Sequence, residues 1–153
     1  MERKDEKNEV VDISALVTLD NAAEGVWVQA EVYGSRQPFE IKILGADSDA
    51  VILHQKKVEK DASKALGAVF TKSSGTDDVE TADDIRGKKI ENAVVRMCGL
   101  RSTDGKPLVM QGVELGSDRD SYLLLCRKIP DVIDFIVQKS NDRMLFMSGR
   151  KKD

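Results

Sequence analysis

The sequence predicts an α+β fold, with an N-terminal antiparallel β-hairpin packed on a mainly α-helical C-terminal part. Three observations carry that expectation. Residues 25–45 alternate with period two, residues 46 onward change to helical spacing, and Pro130 separates two helix-length apolar patterns. At 153 residues the chain is sized for one domain with a real core. Its composition is 41% hydrophobic and 33% charged, as in folded globular chains, and 5% aromatics leave the core to Val, Ile, Leu and Ala.

The chain opens on "MERKDEKNE", a charged tail over 1–9, and closes on a basic tail over 148–153. Between them, residues 10–147 form the single domain. Val10 to Leu19 reads as a strand or a helical turn. "GVWVQAEVY" (25–33) sets Val26, Val28, Ala30 and Val32 on one face of a strand, opposite Trp27, Gln29, Glu31 and Tyr33. "GSRQP" supplies a turn, and "FEIKILG" (39–45) alternates again to complete a hairpin. Trp27, flanked by valines, is expected in the core rather than as a platform for a ligand.

From 46 to 70 the period lengthens. Val51, Val58, Ala62, Ala65, Leu66 and Val69 form a helical stripe, with Asp47 or Ser48 placed to cap its start. "TKSSGTD" is a loop. A second helix is expected from Asp78 to Cys98, with Asp78 and Glu80 at the positive end of its dipole. Its stripe is Val79, Ala82, Ile90, Ala93, Val94 and Met97, and Gly87 is its weak point. "RSTDGKPL" is a tight turn, "VMQGVEL" a short extended piece, and "SDRD" (117–120) has capping-box spacing before the helix "SYLLLCRK". Pro130 ends that helix and starts the next, because the amide it lacks is one that a helix start leaves free.

The residues point to no catalytic chemistry. His54 stands alone without a second His or a neighbouring Cys, and the acidic runs lack the alternating ligands and central Gly of a calcium loop. Neither a Walker loop, a dinucleotide fingerprint nor a nucleophile elbow is present. No catalytic residue, cofactor or metal is therefore expected. The net charge of −3 and basic segments without interleaved aromatics argue against nucleic acid. No run of about 18 apolar residues exists to span a membrane. Cys98 and Cys126, set among Met97 and Leu125, read as reduced thiols in a cytoplasm.

The order "EGVWV", hairpin, "ILGADSD" running into a helix, a second helix, "DGKPL" and "SYLLLCRKIPDVIDFIVQKSNDRMLFM" resembles the tail assembly chaperones of long-tailed bacteriophages. The similarity covers most of residues 24–147. It rests on the ordered set rather than on one motif, and "MCGL" stands where relatives carry a Trp before the Asp-Gly turn. The resemblance implies a non-enzymatic protein of the bacterial host cytoplasm. It would bind the tape-measure protein and the major tail tube protein during assembly, with self-association into a homo-oligomer allowed. A structural subunit of the virion tail, or a small enzyme or regulator, are the rival readings. The candidate partner-binding residues are Phe135, Ile136, Met144, Leu145, Phe146 and Met147, since six residues after Met147 cannot cover four large apolar side chains. Phe146 in particular is expected to be partly exposed.

Overall fold

A three-stranded antiparallel sheet with helices on one face forms the centre of the molecule. The computed structural model describes residues 9–71 and 80–148, and side chains over 65–71 lie outside that description. The order is a 3₁₀ turn at Ser14–Leu16, α1 (Leu19–Glu24), β1 (Val26–Val32), β2 (Ser35–Ile43), α2 (Asp49–Thr71) and α3 (Ala82–Val94). There follow β3 (Met97–Ser102), β4 (Leu108–Met110), β5 (Val113–Leu115), α4 (Arg119–Lys128), α5 (Pro130–Ser140) and a 3₁₀ turn at Arg143–Phe146. The fold class is the one expected. The charged tails apart from Glu9 and Ser148, the expected loop beyond Thr71, the helix start at Asp78 and Val79, and the side chains of the stripe positions Ala65, Leu66 and Val69 fall outside the described residues, while Thr71 itself ends α2.

The β1–β2 hairpin turns through Tyr33 and Gly34, both at positive φ (54° and 80°), which suits the right-handed twist of the flanking strands. β2 therefore starts at Ser35, earlier than the Gly/Pro pattern suggests. Pro38 sits where the β1–β2 register shifts, the kind of place in a sheet that tolerates a missing N–H. Val28, Ala30 and Val32 face the helices, as the alternation requires.

Two elements correct the sequence reading. The second helix stops at Val94, and Met97–Ser102 becomes the third strand, pairing Leu100 with Ile41 and Arg101 with Glu40. No breaker residue marks that boundary. The free edge of β2 supplies the hydrogen bonds that outweigh helical propensity here. That helix starts at Thr81, whose side chain accepts from the Asp84 amide while Asp84 reaches back to the Thr81 amide. "VMQGVEL" is a second hairpin, turning at Gln111 and Gly112 with φ of 50° and 80°.

The caps shift by one residue. Asp118, not Ser117, accepts from the helix, taking the Ser121 amide at 2.8 Å. Ser117 instead binds β3, accepting from the Leu100 amide at 2.9 Å and donating to the Leu100 carbonyl at 3.1 Å. Neither expected cap serves α2. The Asp47 carboxylate is taken by Arg143, and the buried Ser48 hydroxyl has no partner among the described residues. Pro130 does break the C-terminal helical stretch in two, with Ile129 as the shared boundary residue.

Sheet residues Ala30, Phe39, Ile41 and Ile43 meet Ile90, Val94, Leu125, Cys126, Val132 and Ile136 in the main core. A satellite cluster of Ala22, Leu145 and Phe146 packs on Val26 and Val28.

Candidate partner-binding surface

The C-terminal knot splits into a buried half and an uncovered half. Phe146 is 2% exposed and Leu145 is buried, whereas Met144 is 65% exposed and Met147 half-buried. Phe135 and Ile136 are core residues of α5. The expectation that Phe146 is partly exposed is thus overturned, and Phe135, Ile136 and Leu145 are likewise buried in the free chain. Met144 and Met147 keep most of the knot's accessible surface.

The cover comes from the other end of the chain. Asp142 caps the final turn by accepting from the Met144 amide. Phe146 then sits beside α1, whose Asn21 amide donates to the Phe146 carbonyl at 3.1 Å. Gly45 makes the close approach possible, because a Cβ there would lie 2.5 Å from Ala22 Cβ and 3.4 Å from the Phe146 ring. Ser148 completes the junction by donating from its amide and hydroxyl to the Val17 carbonyl, both at 2.9 Å. Counting only the six residues that follow Met147 missed α1.

The uncovered apolar surface lies elsewhere. Val10, Val11, Ile13, Leu16 and Val17 ahead of α1, and Leu19 at its start, are all exposed. On α2 the stripe that begins at buried Val51 outlasts its cover. Gln55 still ties to Asn92 of α3 at 3.2 Å, but Val58 beyond it is 46% exposed, and Ile52 and Leu53 also face solvent. A helix normally buries its apolar face, so the exposed Val58 and Ala62 on that stripe, with Ile52 and Leu53 on other sides of the helix, are surface available to another protein.

A groove of about 420 Å³ runs along β1, between that strand, α1, α5 and the final turn. Trp27 borders it from the outer face of the sheet and is half-buried, not in the core. Its ring lies over Gly99, where a Cβ would come within 2.7 Å, and under the Arg101 guanidinium, 3.8 Å from the ring centroid. Glu40 holds that guanidinium in place at 2.8 Å.

The titratable groups complete the picture. Burial, then the neighbouring Arg96, lowers the His54 pKa below its ordinary value. Arg96 is itself buried, and its guanidinium donates to the Asn92 carbonyl and side chain. Burial pushes the Cys126 thiol up to about 12 and also raises Cys98, which makes both poor nucleophiles. Among the described residues no His, Cys, Asp or Glu group is arranged to hold a metal ion, and no helix is long and apolar enough to cross a membrane. Comparison with protein-family models, curated proteins and solved structures found no match.

Proposed function

We propose that this protein works by binding other proteins, and specifically that it is a phage tail assembly chaperone for tape-measure and tail tube proteins. The observation that carries the binding role is the apolar surface of α2, where Ile52, Leu53 and Val58 are exposed and join neither core cluster. An assembly chaperone needs such surface to shield apolar segments of its clients until they are built in. The choice of clients rests on the ordered sequence resemblance. It does not rest on the C-terminal knot, whose central pair, Leu145 and Phe146, is buried.

Co-expression pull-down tests the reading. Tagged protein should retain the tape-measure or tube protein, and Leu53→Asp with Val58→Asp should abolish retention at unchanged melting temperature. Retention of neither client by the wild type would sink the proposal. Mass spectrometry of mature particles separates the chaperone from a virion subunit, since only the subunit should remain in the finished tail.

A further inference from the structure

The two edges of the sheet are finished differently. On β3, the Ser117 hydroxyl occupies both the amide and the carbonyl of Leu100, which blunts that edge. On the β1 side, the sheet ends with no further strand among the described residues, and a groove of about 420 Å³ lies beside it. An open strand edge is a template for another strand. The groove also selects which strand. Its helix-side wall is mostly apolar, with Val26, Val28, Leu145 and Met147 beside Lys139, while its outer wall sets Gln29, Glu31 and Arg36 beside Trp27. A strand that alternates, with its apolar side toward the helices, suits these walls.

The chain carries one segment of that kind with nothing over it. Val11, Ile13, Ala15 and Val17 alternate with Asp12, Ser14 and Thr18, Leu16 being the exception. Three of the four inward candidates are β-branched, yet the segment forms only a single 3₁₀ turn. Val11 is 94% and Ile13 66% exposed. We infer that residues 11–17 of one copy add as a strand to the β1 edge of a second copy, in a reciprocal two-fold exchange.

Position favours a second copy as the occupant. The segment leads directly into α1, whose Asn21 and Glu24 line the same groove, so each copy presents its strand beside its own vacant edge. That is the arrangement a self-complementary interface needs to close. Arg36 and Lys139 are balanced in the groove by Glu24 and Glu31, so apolar burial supplies the affinity. In the isolated molecule the Ser148 bonds to the Val17 carbonyl hold the segment on the C-terminal side.

Sedimentation velocity and amide hydrogen exchange on the full chain test this, from about 1 to 100 µM. The wild type should dimerise, with protected amides over 11–17 and 26–29. Ile13→Lys should raise the dissociation constant at least about tenfold, lose that protection and keep the melting temperature. Met147→Glu, on the groove side, should also weaken the dimer. Mixing the two variants should restore a heterodimer, because one of its two exchanges pairs an intact segment with an intact groove. A wild type that stays monomeric overturns the inference, as does a dimer indifferent to Ile13→Lys. Protection of 11–17 in a monomer also overturns it, since the segment would then occupy its own edge. None of these outcomes touches client binding through α2, which the pull-down measures separately.

Discussion

The two ends of the domain carry similar apolar content and meet opposite fates. Met144-Leu145-Phe146-Met147 buries its two central side chains, while Val10 to Leu19 leaves its six large apolar side chains in solvent. They even touch, through Ser148 and Val17 and through Asn21 and Phe146. The difference lies in what each finds opposite. The C-terminal turn is fixed by the Asp142 cap and drops Phe146 into a slot made by Ala22, Gly45 and β1. The N-terminal segment is seated in no such slot, and its large apolar side chains stay exposed. Apolar composition thus marks where burial would be favourable, and only a complementary surface decides whether it happens.

The largest expected contrast is between Phe146→Ala and Ile13→Ala. Truncating a buried Phe should cost about 3–5 kcal/mol and lower the melting temperature by roughly 10 °C or more. The same measurement on monomeric Ile13→Ala should move stability by less than about 0.5 kcal/mol. Equal effects would erase the distinction between the two ends.

A smaller effect is expected at the junction. Asn21→Ala should cost about 1 kcal/mol in chemical denaturation, because it leaves the part-buried Phe146 carbonyl without its donor. Asp142→Ala should cost a similar amount, about 1 kcal/mol, as the loss of a cap. If neither shifts the denaturation midpoint, Phe146 is held by packing alone.

The smallest effect is electrostatic. The Arg143 hydrogen bonds hold the Asp47 carboxyl below its ordinary value, against a modest opposing effect of burial. A depressed carboxyl pKa stabilises the fold above the unfolded value of about 4, and that contribution is lost as pH falls through the folded value. The advantage of wild type over Arg143→Ala should therefore be present at neutral pH and vanish in acid. An NMR titration in Arg143→Ala should return Asp47 toward the ordinary carboxylate range. An unchanged Asp47 pKa would break the link between the final turn and the start of α2.

The sequence by itself determined the elements whose signal is local. Period-two alternation in "GVWVQAEV", the proline at 130 and the helical stripe from Val51 each act through backbone geometry within a few residues. The tertiary structure decided everything that depended on a distant partner. Met97–Ser102 became a strand because β2 offered an edge, although nothing in "MCGL" forbids a helix. Trp27 went to the outer face because Arg101 and Gly99, more than 70 residues away, made a seat for it there. Phe146 went to the core because α1, more than 120 residues away, came to cover it. Local propensity is read along the chain, but burial is a property of pairs of surfaces, and the sequence does not state which pairs meet.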